Sequence, residues 1–215
     1  MFNFSPQSLI SALITLVIAL TFHEFAHGWM AKQFGDDTAE RAGRLTLNPM
    51  AHLDPIGSLM LVLFGFGWAK PVPINPYIIR RSGKGALLLV SIAGPLANFL
   101  LAVLSAIPLR LNLFPIQFYS TNILPTAYMF LYFFLYTNLG LMVFNLIPVP
   151  PLDGHEILSF FLPEGLEEKW ERFGYQYGVL ILVFVLMIAP MFGFDLGSQV
   201  LQPAIQFLSG LLLGM

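Results

Sequence analysis

The sequence predicts an all-α polytopic membrane protein with about five to six membrane segments and a re-entrant or extended loop element. Three observations carry that expectation. Hydrophobic residues make up 57% of the 215 positions, charged residues only 10%, and mean hydropathy is +0.76, whereas soluble domains carry about 25% charge. Apolar runs long enough to cross a bilayer recur along the chain, divided by polar stretches rich in Asn and Pro. Between the first two runs lies Gly67-Trp68-Ala69-Lys70-Pro71-Val72-Pro73-Ile74-Asn75-Pro76, whose proline spacing forbids a regular helix.

Composition also narrows the chemistry. A net charge of -2 and a pI near 6.0 supply no basic field, so nucleic acid is not an expected partner. The absence of Cys removes disulfides and thiolate ligands, which leaves His, Asp and Glu to bind a metal. No internal repeat or appended soluble segment is evident, and residues 1–215 read as one membrane-embedded domain.

Ser5 followed by Pro6 supplies an N-cap and a first-turn proline, after which residues 7 to about 33 can run as one helix. The run has no basic n-region and no small-residue cleavage site, so it reads as a retained span rather than a signal peptide. Ala12, Ala19 and Ala26 offer a small-residue stripe for helix packing. Near the inner end of the run stand His23, Glu24 and His27. Positions i and i+4 share a helix face, so His23 and His27 can hold one metal ion while Glu24, one residue round, reaches a water on it. This is the geometry of a zinc peptidase. In a bilayer each such group costs roughly 2 to 3 kcal/mol unless it is paired, hydrated or metal-bound. At about 1.5 Å per residue His23 falls about 21 Å into an apolar core about 30 Å thick, so water must reach it through a cavity.

Residues 35–55 form the first polar segment, where Asn-Pro and Asp-Pro mark turns and His52 with Asp54 forms a more suggestive pair. Ile56 to Phe64 is apolar but too short to span and is expected to be re-entrant, leading into the extended loop 67–76. Irregular backbone at membrane depth must be buried in protein or line a wet cavity. Such a loop could pair edge-on with an unwound peptide, or lie at the interface anchored by Trp68.

Residues 86–107 form a second span in which Ala86, Gly94, Asn98, Ala102 and Ala106 fall in one i+4 row. Asn98 reads either as packing glue or as part of an active site. Thr121 or Asn122 can cap a third span reaching to about Leu146, which carries Asn138, Gly140 and Asn145. The span ends in a proline-rich turn that presents Asp153. Two His and one acid complete an open catalytic metal site, which makes Asp153 the expected third ligand. Residues 155–174 look like a charged surface helix, followed by apolar segments from Tyr175 to Met191 and from about Leu196 to Leu213.

With the first helix entering from outside, Lys32, Arg41, Arg44, Lys70, Arg80, Arg81, Lys84, Lys169 and Arg172 face the cytoplasm and Arg110 lies outside. The His-Glu motif and Asp153 then share the cytoplasmic side.

With these motifs the chain resembles the site-2 proteases, intramembrane zinc metallopeptidases, and looks most like their compact prokaryotic branch without a PDZ or CBS domain. The likeness rests on HExxH at 23–27, the NPxxHxDPxG run at 48–57, GWAKPVPINP at 67–76, AGPLAN at 93–98 and NLIPVPPLDG at 145–154, and covers nearly the whole chain. It implies Zn2+ held by His23, His27 and Asp153, Glu24 as catalytic base, a transmembrane protein substrate, and a prokaryotic cell membrane as location. It also implies that Asn98 lies near the catalytic centre and that His52 supports the ligands or the transition state. Asn145 joins them as a candidate contact to substrate or support to the ligands. His155 and Glu156, directly after Asp153-Gly154, are further metal-binding types whose part stays open. The rival classes are a metal transporter, which would spread its ligands along a path, and an inactive scaffold, which would not need Glu24.

Overall fold

The computed structural model describes residues 5–57, 68–118 and 121–214. The α-helices are α1 (Pro6–Gln33), α2 (Thr38–Arg41), α3 (Pro76–Arg80), α4 (Lys84–Arg110), α5 (Ala127–Asn145), α6 (Asp153–Phe161), α7 (Glu164–Val183) and α8 (Gln202–Leu213). Among the described residues the only extended pairing is an isolated antiparallel bridge between Leu53 and Ala69. Among the described residues, four helices are long and apolar enough to cross a membrane: α1, α4, α5 and the stretch 165–192 that α7 opens. The run expected to be re-entrant lies outside the described residues beyond Gly57.

Helix α1 starts where Ser5 and Pro6 direct it, with the Ser5 hydroxyl accepting the Ser8 N–H at 3.2 Å. Its packing face differs from the expected alanine stripe. Ser11, Thr15, Ala19 and His23 are buried in an i+4 row, whereas Ala12 and Ala26 are only half-buried. The reason lies in α4, whose own i+4 row, Ala86, Val90, Gly94, Asn98, Ala102 and Ala106, is buried throughout. Two i+4 ridges interdigitate better than an i+4 ridge meets a seven-residue repeat.

Helices α1, α4 and α5 pack against one another, α6 lies on α4, and α8 lies across α4 and α5. One core cluster joins Ala31 to Ile79, Ala86, Leu87 and Val90, and a second joins Ala102, Ala106 and Leu109 to Leu135 and Leu139. Gly94 and Asn98, which face His27 and His23, fall on α4 between the members of the two clusters.

Two boundaries differ from the sequence reading, and the last segment, which could span or lie partly in the interface, takes one form. Helix α5 is capped by Thr126, whose hydroxyl accepts the Met129 N–H at 3.1 Å, because Pro125 stops any earlier start. The expected surface helix over 155–174 is divided at Pro163: α6 ends before it, and α7 runs on from it through Gly174 into the apolar segment without a break. The last segment is a five-residue π turn, Gly197–Leu201, followed by the 12-residue α8, and it falls short of the four candidate spans.

Candidate metal centre

His23 and His27 lie one helical turn apart on α1, and their Nε2 atoms stand 3.0 Å from each other. Asp153, the first residue of α6, brings Oδ2 to 3.2 Å from His23 Nε2 and Oδ1 to 3.2 Å from His27 Nε2. The structure thus joins all three residues expected to be ligands, with their ligand atoms all within 4.8 Å of one another.

The outer ring nitrogens decide what these atoms can do. His27 Nδ1 lies 2.8 Å from the Val90 carbonyl, which can only accept, so His27 carries its proton there. Asn98 Nδ2 donates to the carbonyl of Ala19 and to Asn138 Oδ1, both at 3.1 Å, which leaves Oδ1 to accept from His23 Nδ1 at 2.7 Å. Both imidazoles are therefore protonated on Nδ1 and present bare Nε2 lone pairs to each other and to a carboxylate. Asp153 Oδ2 is buried with no hydrogen-bond partner. Converging lone pairs with no proton between them call for a cation. A four-coordinate ion with nitrogen and oxygen ligands at about 2.0–2.2 Å holds those atoms roughly 3.3 Å apart, and the observed spacing fits it.

Two glycines make the convergence possible. A Cβ added to Gly94 would lie 2.2 Å from His27 Nε2 and 2.7 Å from His23 Nε2, so α4 must be bare where the imidazoles rest on it. A Cβ at Gly154 would lie 2.3 Å from the Leu146 carbonyl, so the turn carrying Asp153 closes only around glycine.

Glu24 points to the loop of residues 68–75 instead. Its Oε2 accepts the Val72 N–H at 2.7 Å. The loop is tied on other sides as well: the Lys70 N–H reaches the His52 carbonyl at 2.8 Å, the Lys70 carbonyl accepts from Arg44 at 2.6 Å, and the Asn75 N–H reaches Asp36 at 2.6 Å. His52 is buried in this lacing, its Nε2 donating to the Thr46 carbonyl at 2.7 Å.

The remaining candidates separate. Asn98 is at the centre and bonded to the His23 imidazole, whereas Asn145 donates to the Leu141 carbonyl of its own helix at 2.9 Å. His155 turns away from the cluster and stacks on Trp170 of α7 with ring centroids 5.0 Å apart. Gly174 and Gly178 let α7 sit against the same turn, since a Cβ at Gly178 would lie 2.4 Å from Pro150 Cβ. Elsewhere α7 stands off across a cavity of about 930 Å³ lined in part by Leu87, Leu152 and Tyr175. Sequence reasoning noted Asn138 only as a polar residue of the third span; its position three turns into α5, opposite Asn98, was the available signal. The Val90 carbonyl and the Val72 amide are backbone groups and left none.

Fold and cluster together define a polytopic helical membrane protein with a two-histidine, one-carboxylate group able to hold a metal ion. The family model described as peptidase family M50 matches residues 114–188. YwhC of Bacillus subtilis (strain 168), which bears the name putative zinc metalloprotease, is 40% identical over 207 residues, covering 94% of this chain and 89% of that protein. Rip2 of Mycolicibacterium smegmatis, named in the same way, is 34% identical over 195 residues, covering 86% of this chain and 71% of the relative. Zinc metalloprotease MJ0392 of Methanocaldococcus jannaschii is 29% identical over 149 residues, covering 69% of this chain and 33% of the relative. No solved structure gives a significant match. The chain belongs to peptidase family M50, and the resemblance read from its motifs is borne out.

Proposed function

We propose that this peptidase is a zinc enzyme that hydrolyses a peptide bond within or near the transmembrane segment of other membrane proteins. His23, His27 and Asp153 would hold the ion and Glu24 would act as the base. The observation that carries this reading is the convergence of the His23 and His27 Nε2 atoms and the Asp153 carboxyl oxygens at 3.0–3.2 Å, beside a Glu on the same helix as the histidines. When bound there, zinc supplies Lewis acidity that activates water and polarises a carbonyl. The chain's own residues do the rest. Asn98 and the Val90 carbonyl fix the imidazole tautomers. Glu24 takes the proton lost by the attacking water and returns it to the leaving amine, using the carboxylate oxygen that Val72 leaves free.

The reading extends to the membrane. The catalytic group lies between spanning helices of one unit, residues 1–215, so a substrate helix must reach it in the bilayer and unwind to expose a carbonyl. In this reading the N-terminus lies outside a prokaryotic cell membrane and the site toward the cytoplasm, an orientation favoured by the sequence positions of the basic residues, of which Arg110 alone would then face outward.

The test is cleavage of a single-span substrate in liposomes by wild type, Glu24→Gln and Asp153→Ala, with zinc measured on each. The expected outcome is cutting by the wild type alone, full zinc in Glu24→Gln, and zinc loss in Asp153→Ala. A folded wild type without zinc, or a Glu24→Gln protein that still cuts, would show the assignment to be wrong.

A further inference from the structure

The Glu24 carboxylate is met by a backbone group from a segment remote in sequence. Glu24 Oε2 accepts from Val72 N at 2.7 Å, and Val72 stands between Pro71 and Pro73, so its amide is the one N–H these three residues have to offer. Helix α1 is open at the place where Val72 approaches. Gly28, one turn beyond Glu24, carries no side chain, and a Cβ there would press on Val72 Cγ1 at 3.1 Å and on Ala39 Cβ at 3.1 Å.

The position of this amide is set from both sides. Two residues earlier, the Lys70 carbonyl accepts from the buried Arg44 at 2.6 Å, and the Lys70 N–H is held by the His52 carbonyl at 2.8 Å. Three residues later, the Asn75 N–H is held at 2.6 Å by Asp36, which is 1% exposed and whose other oxygen is anchored by Thr38. Asp36 and Arg44 belong to the polar segment after α1, so the chain that follows the base folds back to fix the loop that holds the base.

We propose that the Val72 peptide N–H is the positioning group for the Glu24 carboxylate, with Arg44 and Asp36 as positioning residues that act through the loop of residues 70–75. The inference rests on the role of Glu24 proposed above. A glutamate on a helix surface has three rotatable bonds. Fixing Oε2 removes most of that freedom and leaves Oε1 as the oxygen free for proton transfer. Only a proline substitution can remove a backbone donor, and the flanking prolines keep this one from rotating away.

Two independent measurements test it. Val72→Pro removes the N–H. Its expected effect is a fall in kcat of about 100-fold with KM and bound zinc close to wild type, the signature of a misplaced base rather than a damaged site. Val72→Ala keeps the N–H and is expected to restore kcat to within about threefold. Arg44→Ala, which frees the Lys70 carbonyl, is expected to lower kcat by about tenfold in the same pattern. The second measurement needs no turnover. In Glu24→Ala the Val72 amide should exchange with deuterium at least about tenfold faster, while the amides of Lys70 and Asn75 keep their protection.

A Val72→Pro enzyme as fast as wild type overturns the proposal, as does a Val72 amide whose exchange is indifferent to Glu24→Ala. If Val72→Pro fails to fold, Arg44→Ala and the exchange measurement decide. If the wild type neither holds zinc nor cleaves, the proposed function fails. Exchange then decides the contact by itself: faster exchange in Glu24→Ala upholds it and unchanged exchange removes it.

Discussion

His23 Nδ1 and Asn98 Oδ1 stand 2.7 Å apart in the buried interface of α1 and α4, and this hydrogen bond determines which nitrogen of His23 faces Asp153. Asn98 can do this because both hydrogens of its amide are already committed, one to Ala19 and one to Asn138. A polar residue in the middle of a membrane helix is thereby fully satisfied, and its remaining acceptor is directed at a single proton.

Replacing Asn98 with Leu should therefore weaken zinc binding by about 10- to 100-fold without displacing either histidine from α1. Chelator competition on purified protein measures it. Asn138→Leu should have a smaller effect, and the double variant should lose less than the sum of the two, because both act through one hydrogen-bond chain. Strict additivity would break that chain.

Gly94→Ala adds one methyl group where the imidazoles rest on α4. Neither ring can retreat without leaving Asp153, so the variant should lose zinc while keeping its helix content. Metal analysis paired with circular dichroism distinguishes this from unfolding. Retained zinc in Gly94→Ala would mean that α1 and α4 can part at this level.

Removing zinc should destabilise the protein and not merely silence it. The bare Nε2 atoms and the carboxylate repel when nothing lies among them, and a ligand at 100 times its dissociation constant stabilises the native state by about 2.7 kcal/mol. A chelator should lower Tm, and added zinc should restore it, whereas magnesium should not. Asp153→Ala should show no such response.

Helix α7 docks through a small seam. Gly174 and Gly178 fit around Pro150, Trp170 stacks on His155, and Arg80 and Lys84 pair with Glu167. Gly178→Val should lift α7 from the turn, whereas Glu167→Gln should cost less than about 1 kcal/mol because those pairs are part-exposed and screened. The chain has no cysteine, so a single Leu152→Cys reports on the seam. Its maleimide labelling should quicken in the Gly178→Val background and stay slow with Glu167→Gln.

Much of this was legible in the residues because membrane helices are long and punctuated. Ser5-Pro6, the HExxH run, the i+4 row of α4 and the proline-rich turn before Asp153 each follow from local rules, and the structure places them as expected. The misplaced features depend in part on partners and in part on prolines whose effect was under-read. The alanine stripe of α1 yielded to a Ser-Thr-Ala-His row because α4 offers a ridge of matching period. The surface helix and the following span proved to meet in α7, since Pro163 interrupts the chain and Gly174 does not. His155 stood beside Asp153 in sequence, yet the stack with Trp170 draws it to the other side of the turn.

The sequence by itself determined the membrane class, the long apolar helices α1, α4 and α5, and the residue types able to bind a metal, because hydropathy, proline placement and side-chain chemistry act within a few residues. Tertiary structure decided which nitrogen of each imidazole is bare, that Asp153 rather than His155 completes the cluster, and that a loop amide holds Glu24. Those outcomes depend on hydrogen bonds and close approaches between residues 40 to 130 positions apart, such as His23 with Asn98 and with Asp153, and no local pattern encodes which partner will arrive.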